Sequence, residues 1–185
     1  NMNATAISRA AEFGFPMEQF IGVWWSGDEI DTAPSGEKAT GYRAATFHAP
    51  GAFSKLHKDI LEYAYGGDME LAREHNYGDV LWSRGVFNAM LIAEGIRNAI
   101  LEFGGEITGE EMRWGLEHIN LTDERLAELG ATGFGKAFKV TCSDHEGNGP
   151  VLFQEWDGEK WVIVSDWIEP MRDVVRPMLE AAAVK

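Results

Sequence analysis

The chain has 185 residues, 45% of them hydrophobic, which is enough to bury a core as one large domain or as two small lobes. It carries 16 basic against 30 acidic residues, and the net charge of -14 disfavours nucleic acid and anionic lipid as partners. The single cysteine, Cys142, excludes an internal disulfide. Because the first residues contain neither a signal peptide nor an initial strand, we expect a later portion of a longer protein.

The first quarter of the sequence alternates between helix and strand patterns. An apolar stripe over residues 5–13 predicts a short helix. The uncharged run at residues 20–25 predicts a strand that is buried on both faces, and residues 42–47 predict a second strand. Because neighbouring strand residues point to opposite faces, only one of Trp24 and Trp25 would face a ligand at the end of this strand.

The middle of the chain is dominated by helical periodicity. Apolar spacing predicts helices at residues 56–65 and 69–74 and a long helix at residues 81–103. Thr108 begins a capping box for a short helix that reaches about residue 118, and Thr122 is placed to cap another.

The last part of the chain returns to strand patterns. Residues 137–142, 151–156 and 160–166 are typical of strands, and Asp157-Gly158 predicts a hairpin turn between the last two. A terminal helix follows Pro170. This order indicates an α/β fold with an antiparallel appendage.

One polar loop has a spacing close to that of a calcium-binding loop. Asp144, Glu146, Asn148 and Glu155 occupy offsets 1, 3, 5 and 12 of the pattern. The loop is flanked by predicted strands rather than helices, and Pro150 restricts its backbone. A polar turn is the simpler interpretation, and a calcium site stays open as the alternative.

Catalytic motifs are weak throughout the sequence. The glycines at residues 133–136 lack Walker spacing, the histidines form no close metal pair, and no serine lies in a nucleophile elbow. A hydrolase that uses Asp144, His145 or Glu169 would have no nucleophile and base at recognisable spacing. We therefore predict no enzyme activity, no metal and no cofactor.

Several segments share their residues and their order with one group of proteins. They are Asn3-Ala4-Thr5-Ala6-Ile7 and residues 20–27 (FIGVWWSG), 36–42 (GEKATGY), 80–85 (VLWSRG), 108–110 (TGE), 113–117 (RWGLE), 144–147 (DHEG) and 154–158 (QEWDG). These segments resemble the branched-chain-amino-acid-type substrate-binding proteins of ABC transporters, and they extend over nearly the whole chain.

The resemblance implies the later portion of a type I periplasmic-binding-protein fold, a two-lobe Rossmann-like architecture. Residues 1–47 would belong to the second lobe, residues 48–136 would complete the first, and residues 137–185 would return to the second with a hairpin and a helix. Hinges would lie near residues 47–50 and 138–144. The missing N-terminal half would be a partner of this chain and would carry any export signal.

The resemblance also implies a function without catalysis. The protein would be the periplasmic solute-binding component of an ABC uptake transporter, closing reversibly over a small molecule and docking on a membrane permease. The alternative is a ligand-sensing domain of the same fold that passes closure to a signalling or regulatory partner.

The ligand site that this resemblance implies is centred on Trp24. Amino-acid-binding relatives carry an acidic residue near this position to hold the ligand's ammonium group, and an indole there favours an aromatic carboxylate or another hydrophobic acid. A branched-chain amino acid stays open as the ligand. His48 or Arg84 would meet the carboxylate, whereas Trp25 would brace the sheet. The predicted ligand-binding residues are Trp24, Trp25, Phe47, His48, Trp82 and Arg84.

Overall fold

The computed structural model describes residues 2–147 and 149–183. Its helices and strands follow the predicted order, and three short 3₁₀ segments lie at Met17–Gln19, Trp24–Ser26 and Ala33–Ala39. The helices are α1 Met2–Glu12, α2 Glu29–Thr32, α3 Lys55–Tyr65, α4 Met69–Glu74, α5 Val80–Phe103, α6 Gly109–Leu116, α7 Asp123–Glu128 and α8 Arg172–Ala183. The strands are β1 Ile21–Gly22, β2 Arg43–Thr46, β3 Asn120–Leu121, β4 Phe138–Lys139, β5 Leu152–Trp156 and β6 Trp161–Ile163.

One four-stranded sheet joins the two ends of the chain in the order β1-β2-β5-β6. β1 runs parallel to β2, whereas the β2–β5 and β5–β6 pairs are antiparallel. Arg43 lies opposite Glu155 in this sheet, and the two side chains form an ion pair of 2.7 Å. The core beneath the sheet contains Ile7, Met17, Ala39, Tyr42, Ala44, Val80, Trp156 and Trp161.

A second core lies in the helical middle of the chain. The helices α5 and α6 can approach closely because Gly115 has no Cβ, which would lie only 2.1 Å from the backbone oxygen of Gly95. Strands β3 and β4 form a separate antiparallel pair beside them. The buried residues of this core are Phe87, Met90, Ile119, Leu121, Leu126, Ala131 and Phe134.

Local capping chemistry confirms the predicted helix starts. The Thr108 hydroxyl accepts from the Glu111 N–H, and the Glu111 carboxylate accepts from the Thr108 N–H at 2.7 Å, so the predicted capping box is present. Thr122 caps α7 in the same way. The terminal helix α8 also forms, and its Arg172 and Arg176 hold it to the Asp144 carboxylate.

The strand prediction for residues 20–25 was wrong in length and in burial. Only Ile21–Gly22 pair as a strand, and Ile21 and Val23 are 56% and 64% exposed. The chain then turns, because both the N–H and the hydroxyl of Ser26 bond to the Val23 carbonyl, at 3.0 and 2.9 Å. Both tryptophans therefore lie in a 3₁₀ turn rather than in a strand.

Two other strand predictions need correction. The predicted strand at residues 137–142 is reduced to β4, which pairs with β3 rather than with the hairpin. The predicted hairpin forms at Asp157-Gly158, but it is not an appendage, because β5 pairs directly with β2 and continues the main sheet. β6 ends at Ile163, three residues before the predicted end.

Candidate functional site

The turn after β1 is fixed from below by the main sheet. The Tyr42 hydroxyl donates to Ser26 Oγ at 2.9 Å, and Gln154 Nε2 donates to the Gly27 carbonyl at 2.7 Å. A Cβ on Gly22 would lie 1.9 Å from Tyr42 Oη, so the backbone can approach the sheet only because this residue is glycine. The turn is thus held rigidly in place, with its two indoles on the outside.

Replacing Gly22 tests how closely this turn is fitted. We expect Gly22→Ala to lower the free energy of unfolding by roughly 1–3 kcal/mol, because the added methyl must displace Tyr42 or the turn. Thermal unfolding measures the loss. Gly85→Ala is the matched control, since a Cβ at Gly85 meets no atom within 4 Å. Equal melting temperatures for Gly22→Ala and the unmodified protein would contradict the assigned close fit.

The two tryptophans lie side by side rather than on opposite faces. Their ring centroids are 4.5 Å apart, with an interplanar angle of 25°, and Phe47 meets Trp24 edge-on at 6.1 Å. Trp24 and Trp25 are 39% and 58% exposed. The prediction that one indole faces a ligand while the other braces the sheet was therefore wrong, because strand alternation does not apply in a turn.

Arg84 completes this aromatic cluster from helix α5. Its guanidinium carbon lies 4.8 Å from the Trp24 ring centroid and 5.2 Å from that of Phe47. Nη2 donates to the Trp24 carbonyl at 2.9 Å. Arg84 is only 6% exposed, and its Nε and Nη1 have no hydrogen-bond partner among the described residues.

The electrostatics of Arg84 favour an anion beside it. Burial lowers the pKa of its guanidinium, and the nearby Asp28 carboxylate opposes this change. The guanidinium keeps its charge at every physiological pH. A buried cation with two unpaired donors is costly unless a partner neutralises it. A guanidinium in such surroundings is able to pair with a carboxylate or a similar planar anion.

His48 lies next to this cluster but is deeper. It is fully buried against Phe47 and Phe134, and its Nδ1 bonds to the Ala49 carbonyl at 3.1 Å. Burial lowers the pKa of His48 to about 4, so the imidazole is neutral at pH 7. Because Nδ1–H donates to the Ala49 carbonyl, the buried Nε2 of the neutral ring is an acceptor and cannot bind a carboxylate, so the charge for an anion comes from Arg84.

The structure places Trp82 apart from the other predicted site residues. Its ring contacts Tyr77 at 4.8 Å and His57 at 5.9 Å between centroids. It lines a neighbouring pocket of about 250 Å³ instead. The residues around this pocket are Asp28, Glu29, Ile30, His75, Asn76, Asp79, Leu81 and Trp82.

Two acidic residues near the aromatic turn were missed in the sequence. Asp28 is 3% exposed and accepts from the Asp31 N–H, which caps α2. Glu29 accepts from the Val80 N–H, the first residue of α5, at 2.9 Å. Their position directly after the Trp-Trp-Ser-Gly run places them near the turn, but nothing in the sequence shows that they are buried or what they bind.

The carboxylates of the candidate calcium loop are already paired with arginines. Asp144 binds Arg172 and Arg176, and Glu155 lies in β5 bonded to Arg43. Asn148 lies outside the described residues. Within residues 2–147 and 149–183, no group of three histidine, cysteine or acidic side chains is arranged to hold a metal ion. The observed geometry fits a polar turn.

No helix in the described part of the chain combines the length and the hydropathy that are needed to span a bilayer.

Comparisons with solved structures confirm the predicted fold class and the resemblance. A crystal structure titled as an ABC transporter permease from the Pseudomonas fluorescens group aligns with 98% of this chain, at 38% identity and a TM-score of 0.89. A branched-chain amino acid ABC transporter from Thermus thermophilus with bound valine aligns with 92%, at 23% identity and a TM-score of 0.67. A leucine-binding protein from Thermotoga maritima aligns with 91%, at 15% identity and a TM-score of 0.61.

All three similar structures are much longer than this chain. The aligned region is 44%, 44% and 42% of the three chains, so this chain spans less than half the length of the proteins it matches. The sequence matches no protein-family model and no curated protein. The chain therefore has the architecture of part of a type I periplasmic-binding-protein fold.

Proposed function

From this fold and its ABC-transporter neighbours, we propose that the protein is the solute-binding component of an ABC uptake transporter. It acts in the periplasm, closes reversibly over a small molecule and delivers it to a membrane permease, and it performs no chemistry. The observation that carries the proposal is the buried, half-unpaired Arg84 against the Trp24-Trp25 stack. Because the neighbours' titles describe transport proteins, the sensor alternative is not favoured.

The arrangement of the two cores supports a division into two lobes on either side of this site. Residues 1–47 and 137–185 contribute the strands of the main sheet, which supports their assignment to one lobe. Residues 48–136 contain most of the second core, which supports their assignment to the other. The bond from Arg84 to the Trp24 carbonyl then crosses the cleft, with hinges near residues 47–50 and 138–144.

The apolar edge of the main sheet supports a further partner, the N-terminal half of the same protein. β1 lies at one end of the sheet as described, and Ile21 and Val23 beside that edge are more than half exposed. An exposed apolar edge strand is a template for pairing. The chain spans 44% of the structure from the Pseudomonas fluorescens group. A strand from an N-terminal half would therefore pair with the exposed β1 edge.

The chemistry of the site favours an aromatic carboxylate as the ligand. The indoles of Trp24 and Trp25 offer a flat apolar wall, and Nε and Nη1 of Arg84 offer donors for a carboxylate. An amino acid would also need a partner for its ammonium group. Asp28 is buried and already accepts a backbone N–H, so its carboxylate is poorly placed for that purpose.

A binding screen on the product of the complete gene tests this function. We expect isothermal titration calorimetry to detect benzoate and phenylacetate, and L-phenylalanine and L-valine to bind at least tenfold more weakly because their ammonium group finds no partner. NMR of the recovered ligand should show no product. Tighter binding of L-valine than of benzoate would reassign the ligand to amino acids, and product formation would contradict the non-enzymatic role.

The position of the ligand is tested by a pair of tryptophan variants. We expect Trp24→Ala to weaken benzoate binding about tenfold, since it removes a stacking wall worth about 1.5 kcal/mol. Trp82→Ala, in the neighbouring pocket, should change the affinity less than threefold. Calorimetric titration of both variants decides the assignment. The reverse order of effects would place the ligand in the pocket that Trp82 lines.

A further inference from the structure

Helix α5 receives its N-terminal cap from a distant part of the chain. Asp79 occupies the capping position, but its side chain makes no capping bond within the described residues. Glu29, 51 residues earlier, instead accepts from the Val80 N–H at 2.9 Å. A carboxyl oxygen at a helix N-terminus satisfies a backbone N–H that has no partner within the helix. The contact is therefore a real energetic link between the two segments.

A second contact joins the same two segments four residues further along α5. Arg84 Nη2 donates to the Trp24 carbonyl at 2.9 Å, so Arg84 binds the Trp-Trp turn itself while Val80 binds Glu29, which follows the turn. Val80 and Arg84 are four residues apart in a helix and thus lie on the same face. Together the two bonds fix both the position and the orientation of the turn against α5.

We propose that Glu29 is a latch for cleft closure, a positioning residue that caps α5 from across the cleft and holds the Trp24-Trp25 turn against Arg84. The inference rests on the proposed function, because it requires residues 1–47 and α5 to belong to different lobes. Closing the cleft forms the cap, and opening it returns the Glu29 carboxyl to water.

The surroundings of Glu29 make the latch sensitive to pH. Burial raises the pKa of Glu29 to about 7, Asp79 and Asp28 add to the rise, and the Val80 N–H opposes it. A raised pKa in the closed form means that closure is most favoured below the ordinary value of 4.5 and loses stability as the pH rises through 7. The titratable groups beside Glu29 are Asp28 on its own segment, Asp79 directly before α5, and His75 directly after α4, which lines the same pocket. Asp31 and Arg84 act on the neighbouring Asp28.

Spin labels on the two proposed lobes measure the latch without any ligand. The labels go on Glu37→Cys and Glu70→Cys, both exposed, in a Cys142→Ser background of the complete gene product. At pH 5.5 we expect Glu29→Ala to populate a longer inter-label distance than the unmodified Glu29 protein. Glu29→Gln, whose amide oxygen still accepts from Val80, should keep the short distance. Glu18→Ala, an exposed acidic change in the same lobe, is the matched control.

The pH arm separates a latch from a merely structural side chain. Between pH 5.5 and 8.5, the labelled protein with Glu29 should shift toward the long distance, and its benzoate affinity should fall roughly tenfold. In Glu29→Gln, any shift in distance or fall in affinity over this pH range should come only from the other titratable groups and should therefore be smaller. If Glu29→Ala fails to fold, as judged by circular dichroism, this comparison alone decides.

Two results would overturn the latch. One is an identical distance distribution for folded Glu29→Ala and its parent, and the other is an unchanged pH dependence in Glu29→Gln. Failure of benzoate to bind any variant would count against the proposed ligand, while the ligand-free distances would still decide on Glu29.

Discussion

Replacing Arg84 with methionine is expected to abolish measurable binding of aromatic carboxylates. Methionine keeps much of the aliphatic volume of arginine but removes the buried cation, the unpaired Nε and Nη1 donors and the bond to the Trp24 carbonyl. Loss of one partner from a desolvated charge pair costs about 2–5 kcal/mol. Benzoate affinity should therefore fall by roughly 100-fold or more, as measured by isothermal titration calorimetry.

Two further arginine variants show whether the fall in benzoate affinity comes from loss of the charge or from loss of the planar guanidinium. Arg84→Lys keeps the charge but not the planar fork, and we expect an affinity between those of Arg84→Met and the unmodified protein. Arg97→Met changes an exposed arginine on the same helix and should leave binding unchanged. Near-normal benzoate affinity in folded Arg84→Met would show that the anion does not bind at this guanidinium.

Features of the fold that depend on neighbouring residues could be predicted from the sequence. The capping box at Thr108 and the cap at Thr122 use bonds between residues three positions apart, so the local pattern contains all the participants. The same holds for the Asp157-Gly158 hairpin turn. These caps and this turn are determined by interactions between residues close in sequence, and tertiary packing does not change them.

The turn that carries the aromatic site could not be predicted in the same way. The residues at 20–25 have strong strand propensity, but the chain turns at Ser26, which bonds back to the Val23 carbonyl. Tyr42 then holds Ser26, and Gln154, 127 residues away, holds Gly27. Long-range hydrogen bonds of this kind override the strand propensity of a short segment. The sequence could therefore nominate Trp24 as a site residue, but it could not place it beside Trp25 on one face.

The structure brings four of the predicted site residues together, whereas their hydrogen-bond partners were not predicted. Arg84 was nominated as a carboxylate ligand, and the structure brings it to Trp24, Trp25 and Phe47. Glu29 was missed because its partner is a backbone N–H 51 residues away, which has no signature in the sequence. Side-chain chemistry can be seen in a sequence, whereas a cap provided by a distant segment cannot.

The buried histidines predict how the fold responds to acid. Burial lowers the pKa of His48 from 6.5 to about 4, so its contribution to stability is present above pH 6.5 and is lost as the pH falls through 4. A change of this size corresponds to roughly 3 kcal/mol. His57, whose pKa burial also lowers to about 4, adds to the same acid sensitivity. Glu29 has the opposite sign, since its raised pKa costs stability as the pH rises through 7.

His48→Asn isolates the first of these contributions. The asparagine amide can still donate to the Ala49 carbonyl in place of Nδ1, but it does not titrate. Denaturant unfolding from pH 7.5 to 4 should show the stability advantage of the unmodified protein over His48→Asn shrinking by roughly 3 kcal/mol. His75→Asn, at an exposed histidine, is the control and should follow the unmodified protein. A constant difference across this range would mean that the pKa of His48 is the same in the folded and the unfolded protein. Burial would then not disfavour the charged imidazole.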